Sequence, residues 1–453
     1  MSEETDPGFE VLAQPPKRTH GRLWASIAAV VVLGAGGAIS YVAFAAGDHG
    51  GASSPDAAIQ NVVNDLQNRD LVGLLDDLAP GERDALSGAV NQDVSSLKRL
   101  GVLSSSADPS SVSGWHFAAH NLTYGKTITV NDHVQIVQIT GGLVDVGGNA
   151  AQLPFTQRFL QLTKARDRAQ SDNVAITHPV RLAAEKVDGG WYASLFYTAA
   201  DSLAHQKIPT AGDAIPSVGA DSPSAAVDKL IRSAMSGDLR SAFEVVSPAE
   251  LGALHDYGGL VAQQAPTVHQ LPFQLKNIDY TTTPITNGMR VSLKQLTVTV
   301  GGREFHASID GSCVSIDASV LHKKYCASDA ANAIGGFVGA MQCSGQVFMS
   351  GAGSANHSPV RISGEGRKPS GPGSYSPMSG MTPGSCHGPN FTAAQQQAIT
   401  DLVSGLLSSA GIDTAQVGGQ WYVTPVRTVA DSGAAVLKAL QGDDLYQLAT
   451  IGR

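Results

Sequence analysis

The longest apolar stretch of the chain lies near its N-terminus. Residues 23–46 carry no charged side chain, and as a helix they span about 36 Å, more than the roughly 30 Å hydrocarbon core of a bilayer. Lys17, Arg18 and Arg22 precede the stretch, and no Lys or Arg follows it before Arg69. Because positive charge is retained on the cytoplasmic side, the pattern predicts one plasma-membrane helix with the N-terminus inside and the remaining chain outside.

A cleaved signal peptide is the alternative interpretation of this stretch. Ala43, Phe44 and Ala45 fit a small-x-small cleavage site. The apolar run is longer than the roughly 7–15 residues of an ordinary signal-peptide core, which favours an uncleaved anchor. Both interpretations place residues 47–453 outside the cytoplasm.

A second hydrophobic pattern occurs twice. Residues 54–59, Ser-Pro-Asp-Ala-Ala-Ile, recur at 222–227 as Ser-Pro-Ser-Ala-Ala-Val. In both copies the serine suits a helix N-cap, and the proline suits the first helical position. A shorter helix is predicted to begin at Asp70 and again at Asp238. The apolar positions that follow the proline have helical spacing: Ile59, Val62, Val63 and Leu66 in the first copy, Val227, Leu230, Ile231 and Ala234 in the second.

The ends of the two copies also match. Residues 187–192 and 417–422 share a Trp-Tyr pair, 230 residues apart. The Asp-Gly at 188–189 predicts a two-residue hairpin turn. Strand patterns at 133–140 and 143–146, and at 290–300 in the second copy, precede these ends. Helices followed by an antiparallel meander predict an α+β domain.

These features resemble the NTF2-like superfamily. The resemblance rests on the Ser-Pro-x-x-Ala-Val start, the Asp-Leu break after the first helix and the final Asp-Gly-x-Trp-Tyr strand. It implies cone-shaped α+β domains, common as extracytoplasmic modules in actinobacteria, with helices packed on a curved antiparallel sheet. The expected organisation is a cytoplasmic tail (1–22), a transmembrane helix (23–46), a linker (47–54), a first repeat (55–204), a linker (205–221), a second repeat (222–435) and a C-terminal helix (436–453).

The second repeat carries an insertion at about 303–416 that holds all four cysteines of the chain. It includes a Gly/Ser/Pro-rich tract at 344–389, for which we expect no regular structure. Residues 391–410 return to a helical pattern. Outside the cytoplasm an even number of cysteines favours disulfides, and pairing nearest neighbours closes the shorter loops. The predicted pairs are Cys313–Cys326 and Cys343–Cys386.

A metal site is the alternative for the cysteines. His322, His357 and His387 lie nearby, but no Cys-x-x-Cys or His-x-x-x-His spacing supports it. Charged residues make up only 15% of the chain, and the net charge is −9, so no basic footprint for nucleic acid is present. The composition and the absence of metal-ligand spacing predict neither a metal nor a cofactor.

Catalytic signatures are incomplete. Residues 95–98 match Ser-x-x-Lys and 171–173 match Ser-Asp-Asn, but the Lys-Thr-Gly of penicillin-recognising enzymes is missing. The charges that recur between the copies are interpreted as helix caps and surface groups, which favours a protein without catalytic activity. They are Asp70 and Asp238, Glu82 and Glu250, and Asp201 and Asp431.

The aromatic residues Trp191, Trp421, Tyr124 and Tyr280 are candidate walls of a pocket, although the two tryptophans also suit a closing-strand core. Our first hypothesis is a non-catalytic envelope module that binds a protein partner or a small apolar ligand. The second is a small-molecule-binding or catalytic NTF2-like domain, which requires a cavity with convergent polar groups. The third is an accessory of a membrane machine, such as the FliL-like proteins of the flagellar basal body.

Overall fold

The structure is a computed structural model that describes residues 50–108, 112–164, 169–264, 273–318, 321–331 and 391–451. The predicted transmembrane helix, Cys343 and Cys386 lie outside these ranges. Within them, every helix is too short or too polar to cross a bilayer. The described residues form two compact units, which do not follow the predicted linear boundaries. Of the described residues, the first unit contains those between 50 and 264, 285–289 and 412–434; the second contains 273–284, those between 290 and 331, 391–411 and 435–451.

The first unit opens with the two predicted helices, α1 (Pro55–Asn68) and α2 (Leu71–Asp76), and a longer helix, α3 (Pro80–Arg99), follows them. The Ser54 side chain caps α1 by accepting a hydrogen bond from the Ala57 backbone N–H. Asp70 caps α2 by accepting from the N–H groups of Val72 and Gly73. Both predicted caps are therefore confirmed.

An antiparallel sheet follows the helices. Its strands are β1 (Trp115–Tyr124), β2 (Ile128–Thr129), β3 (Val134–Asn149), β4 (Ala169–Ala175), β5 (Val180–Val187) and β6 (Gly190–Ser194), with α4 (Gln157–Leu162) before β4 and α5 (Leu195–Leu203) after β6. The order is β1-β3-β5-β6, and β2 and β4 also pair with β3. The turn at Asp188 and Gly189 has positive φ at both positions, as the two-residue hairpin requires.

The two strands predicted at 133–140 and 143–146 are one long strand, β3. Its register against β1 shifts between His120 and Tyr124, which marks a β-bulge. Gly142 lies opposite this irregularity with φ +124°, a conformation that glycine adopts most easily. A bulge bends a strand without ending it, so the apparent break in the hydrophobic pattern is a bend.

The main core of this sheet lies under the first two helices. Val137 and Ile139 of β3 pack against Ile59 of α1 and Leu71 and Leu75 of α2. All five side chains are buried. Helices on one face of an antiparallel sheet confirm the predicted α+β class.

The remaining described elements begin with four helices, α6 (Pro223–Ser236), α7 (Leu239–Phe243), α8 (Pro248–Asp256) and α9 (Gly258–Gln264). Five strands follow, β7 (Phe273–Ile285), β8 (Gly288–Val300), β9 (Arg303–Asp310), β10 (Cys313–Ala318) and β11 (Leu321–Cys326). The last elements are the helix α10 (Ala393–Ser408), the hairpin of β12 (Ile412–Val417) and β13 (Gln420–Val423), and the helices α11 (Pro425–Ala439) and α12 (Asp444–Ala449). Strands β8 to β11 pair in chain order, and β7 also pairs with β8. The Ser222 and Asp238 caps are confirmed.

Two boundaries differ from the sequence expectation. The single helix expected at 436–453 is the end of α11 followed by the separate helix α12, because the Asp444 side chain accepts from the Gln441 N–H and turns the chain. The insertion expected at 303–416 overlaps β12 (Ile412–Val417), which is placed like β5 and is therefore part of the repeated pattern. The Asp413 N–H donates to Thr428 Oγ1, and the Ala183 N–H of β5 donates to Thr198 Oγ1.

Two backbone contacts each occur twice in the first unit, at the sequence offsets of the repeated pattern. The segment before the first helix of each set forms a bridge with the tryptophan of a closing strand, and the residue before the third helix lies beside the same strand. The bridges are Ala52–Trp191 and Ala220–Trp421, and Leu78–Ala193 and Val246–Val423.

The Cys313–Cys326 disulfide is present in the second unit. The two residues lie opposite each other on β10 and β11, at the ends of paired strands. Cross-strand neighbours lie well within the roughly 7 Å Cα separation beyond which a disulfide cannot close, here 4.0 Å. The predicted pairing of these two cysteines is confirmed, and Cys343–Cys386 stays a prediction.

Peptide mapping of the protein, alkylated without reductant, is expected to recover Cys313 and Cys326 as one linked peptide pair. The same map tests Cys343–Cys386, since four cysteines allow three pairings. A linkage from Cys313 to Cys343 or Cys386 contradicts the strand register of β10 and β11.

Candidate functional site

A buried carboxylate, Glu82, stands in the first turn of α3. It is 3% exposed and accepts three hydrogen bonds from the start of α5. The Leu195 N–H donates at 2.8 Å, the Phe196 N–H donates at 3.1 Å, and the Ser194 hydroxyl donates as well. Burial raises the pKa of Glu82 to about 7, although these hydrogen bonds oppose the rise. Glu82 therefore joins α3 to the N-terminus of α5.

Glu250 occupies the equivalent place in α8. It is 6% exposed, and its Oε1 accepts the Arg427 N–H at 2.6 Å, at the start of α11. Its Oε2 has no hydrogen-bond partner within the described part of the chain, and neither has the Thr424 hydroxyl, which corresponds to Ser194. Burial raises the pKa of Glu250 to about 7. The same connection is thus made in both places, and backbone hydrogen bonds from Arg427 and Val426 act on Glu250.

The interpretation of the recurring charges as caps and surface groups holds for Asp70 and Asp238 and is wrong for Glu82, Glu250 and Asp201. The Asp201 side chain is 3% exposed and forms a bidentate ion pair with Arg181. Arg181 Nη2 donates to Oδ1 at 2.7 Å, and Nε donates to Oδ2 at 2.8 Å. A sequence pattern reports recurrence and not burial, since burial depends on elements far away along the chain.

A cavity of about 310 Å³ opens where the N-termini of α3 and α8 meet. The backbones of Gly81 and Ala249 lie in close contact there, so close that a Cβ at Gly81 would be 1.7 Å from the Ala249 carbonyl oxygen. The walls come from α3, β5, α5 and α8. The polar lining residues are Glu82, Asp84, Glu185, Tyr197 and Glu250, and the others include Val187, Phe196, Pro248, Gly252 and Ala253.

Asp256, at the end of α8, accepts a hydrogen bond from the Tyr197 hydroxyl at 2.7 Å and another from the Asn131 amide at 2.8 Å. His133 Nε2 lies 3.3 Å from the same carboxylate oxygen. Burial opposes ionisation of Asp256, but the hydrogen bonds from His133 and Tyr197 outweigh it and lower its pKa. Hydrogen bonding to Asp256 raises the pKa of His133 to about 9. This network holds α8 against the start of β3.

The four aromatic residues predicted as pocket walls do not line this cavity. Trp191 is buried against Ala58 and Ala184, and Tyr124 packs on the main core. Trp421 is half-buried on β13, and Tyr280 is half-buried on β7 in the second unit. The structure therefore does not bring the four together at this cavity.

Sequence reasoning missed the cavity residues Glu185, Phe196 and Tyr197. The recurrence of Glu82 and Glu250 near predicted helix starts was the available signal, because a carboxylate there can satisfy helix N–H groups. No sequence pattern near Glu185 or Phe196 predicts that they line a cavity. They reach it because β5 pairs with β6, which leads into α5.

The free energy of unfolding is expected to be larger at pH 5 than at pH 8. Glu82 and Glu250 have folded pKa values of about 7, above the ordinary glutamate pKa of 4.5, so their contribution to stability is complete below about 4.5 and is lost as pH rises through 7. His133 adds a loss between 6.5 and about 9. Urea unfolding across this range measures the trend, and a stability that rises with pH contradicts it.

No protein-family model matches the chain, and no curated protein matches it. Among solved structures, a protein described as "Ntf2 like protein involved in plasmid conjugation" is 8% identical, with a TM-score of 0.13, over 46% of this chain and 80% of that one. A likeness of this degree has no bearing on the site.

Proposed function

We propose that this protein is a membrane-anchored, extracytoplasmic binding module without catalytic activity, and that its first unit contains the helical parts of two NTF2-like repeats. The N-terminal segment at 23–46 would hold the chain in the plasma membrane. The observation that carries the proposal is the cavity at the meeting point of α3 and α8, because a binding protein needs an enclosed space with a few polar groups.

The recurring contacts support the duplication. Two bridges to tryptophans, two strand-side contacts and two carboxylates at helix N-termini stand at the same sequence offsets. Short sequence matches arise by chance in an Ala/Gly/Ser-rich chain, but chance does not reproduce their hydrogen bonds. The order of helices and antiparallel strands agrees with the NTF2-like expectation.

Binding is favoured over catalysis because the carboxylates of Glu82 and Asp256 are already occupied by groups of the protein itself. Glu82 satisfies three donors of its own chain, and Asp256 is held by Tyr197, Asn131 and His133. A general acid or base needs a free path to a substrate proton. Both carboxylates instead serve to pack one helix against another element.

Membrane placement is tested by N-terminal sequencing and protease accessibility in intact cells. An uncleaved N-terminus with an externally digestible C-terminal region supports the anchor. A mature protein that begins at Ala46 identifies a cleaved signal peptide and removes the anchor. A C-terminal region protected by the intact membrane contradicts the predicted orientation.

Binding is tested by native mass spectrometry of the full chain extracted in mild detergent. A bound small molecule supports the cavity as a ligand site, and a co-purifying envelope protein supports the interaction hypothesis. A monomer with neither contradicts the proposed function.

A further inference from the structure

Strand β11 (Leu321–Cys326) forms an edge of the sheet in the second unit. It comes last in the strand order β8-β9-β10-β11, and β10 is the one strand among the described residues that pairs with it. The outer side of an edge strand carries backbone N–H and C=O groups that can pair with another chain. This edge is therefore a place where a further strand can join the sheet.

The register of the β10–β11 ladder shows which backbone groups point outward. The Ala327 N–H donates to the Ser312 carbonyl at 2.9 Å, so these two residues form a hydrogen-bonded pair. Hydrogen-bonded and non-hydrogen-bonded pairs alternate along an antiparallel ladder. The next pair, Cys313 and Cys326, is therefore non-hydrogen-bonded, in agreement with its short Cα separation of 4.0 Å.

The same alternation turns the backbone groups of Lys324 and His322 away from β10. The Cys326 N–H also points outward, and the Asp329 side chain accepts it at 3.2 Å. The N–H and C=O groups of His322 and Lys324 thus face the outer side of β11, where the described part of the chain places no strand.

The side chains along this edge are basic and exposed. Lys323 and Lys324 are exposed, and neither forms an ion pair within the described residues. Tyr325 is 45% exposed, although its ring is large and apolar. Successive side chains of a strand point to opposite faces, so an added strand meets one lysine on each face and the tyrosine on the face of Lys323.

Charge disfavours two occupants of this edge. In a second copy that pairs β11 with β11 at full overlap, lysines stand opposite lysines, an arrangement that destabilises a strand pair. The tract at 344–389 follows β11 in the chain, but it carries Arg361, Arg367 and Lys368 against one acidic residue, Glu365. An acidic segment of another protein is complementary to the edge.

We propose that β11 is a docking edge for an acidic, extended segment of a protein partner, which joins the sheet as a further strand. The N–H groups of His322 and Lys324 donate to its carbonyls, and their carbonyls accept from its N–H groups. Two successive carboxylates of the segment lie opposite Lys323 and Lys324, and an apolar residue lies beside Tyr325. Backbone pairing supplies the affinity and the side chains supply the specificity. This inference goes beyond the proposed function, because it concerns a surface of the second unit and not the cavity of the first.

Residue-resolved amide hydrogen exchange of the full chain in mild detergent tests whether the edge is open. The N–H groups of His322 and Lys324 are expected to exchange rapidly, and those of Lys323 and Tyr325, which face β10, to be protected. Protection of His322 and Lys324 in the free chain overturns the proposal. It assigns the edge to the chain itself if the protection is independent of protein concentration, and to a second copy if it increases with concentration.

The binding probe is the labelled peptide Thr-Val-Tyr-Glu-Glu-Tyr-Val-Thr, followed by fluorescence anisotropy. The same peptide with lysine at both glutamate positions is the matched control. We expect saturable binding of the acidic peptide that weakens with salt, and slower amide exchange at His322 and Lys324 in the complex. No binding of the acidic peptide, or equal binding of the two peptides, overturns the proposal.

The double variant Lys323→Glu with Lys324→Glu is expected to weaken binding of the acidic peptide by at least about tenfold, because two attractive cross-strand pairs become repulsive. Lys207→Glu with Lys294→Glu is the matched control. Both of these lysines are exposed and lie outside β11, so the net charge changes equally while the affinity is expected to stay unchanged. An equal effect of the two double variants reduces the binding to net charge and overturns the docking edge.

His322→Pro tests the backbone pairing, because it removes an outward N–H and keeps both lysines. Proline is tolerated in an edge strand where its missing N–H faces outward, and retention of the Cys313–Cys326 disulfide reports an intact hairpin. We expect the peptide to bind about three- to tenfold more weakly, the value of one hydrogen bond. If this variant does not fold, N-methylation of alternate peptide residues blocks the same pairing and is expected to have the same effect. Unchanged affinity overturns strand addition.

Vesicles of phosphatidylglycerol test the other chemistry that two exposed lysines suit. Vesicle binding that requires Lys323 and Lys324, in the absence of peptide binding, assigns the edge to a lipid surface and overturns the proposal. The cavity is tested separately by native mass spectrometry. Peptide binding without any cavity ligand leaves β11 as the binding surface, and a cavity ligand without peptide binding removes the proposal for β11 alone.

Discussion

Replacing Asp201 with alanine is expected to lower the free energy of unfolding by about 3–5 kcal/mol. The substitution removes the carboxylate that forms a bidentate ion pair with the Arg181 guanidinium, and the Arg181 side chain is only 11% exposed. A buried unpaired charge is among the most costly changes in a folded protein. Urea unfolding followed by tryptophan fluorescence measures the loss, because Trp115, Trp191 and Trp421 all lie in the first unit.

The double variant Arg181→Met with Asp201→Leu is the control for this prediction. Removing both charges and filling the space with apolar groups is often neutral or stabilising. Most of the stability lost in Asp201→Ala is therefore expected to return. Exposed salt bridges contribute about 0–1 kcal/mol to stability. A loss below about 1 kcal/mol for Asp201→Ala would therefore contradict the prediction that this buried ion pair contributes more than an exposed one.

Glu82→Ala is expected to cost about 3 kcal/mol at pH 5.5, because Ser194 and the N–H groups of Leu195 and Phe196 lose their acceptor inside the protein. The cost should shrink toward pH 8. There the wild-type carboxylate is ionised in a place where burial raises its pKa to about 7, so removing it also removes a destabilising charge.

Glu250→Ala provides a comparison within the same chain. Glu250 Oε1 accepts the Arg427 N–H, and Oε2 has no partner in the described ranges, so the expected loss at pH 5.5 is about 1–2 kcal/mol. Both variants are measured by the same unfolding experiment. A loss for Glu250→Ala equal to or above that for Glu82→Ala would show that the three donors around Glu82 add little to stability.

Local chemistry explains why several elements could be predicted. Ser54 and Ser222 cap helices because a hydroxyl can accept from an N–H three residues ahead, whatever the rest of the chain does. Asp188 and Gly189 form their turn because positive φ is accessible to that pair. Cys313 and Cys326 are 13 positions apart, and one hairpin suffices to pair them.

The α+β class, the helix starts, the closing hairpin and one disulfide could be predicted from the order and spacing of residues, because each rests on patterns close together along the chain, such as the 13 positions between Cys313 and Cys326. The burial of Glu82 and Asp201, and the meeting of Glu185 and Phe196 with Glu250 at one cavity, become visible in the folded chain alone. The ionisation and partners of a carboxylate depend on the surroundings that distant segments bring to it. The contact between Glu82 and Leu195 spans 113 residues, a separation over which no local pattern carries information.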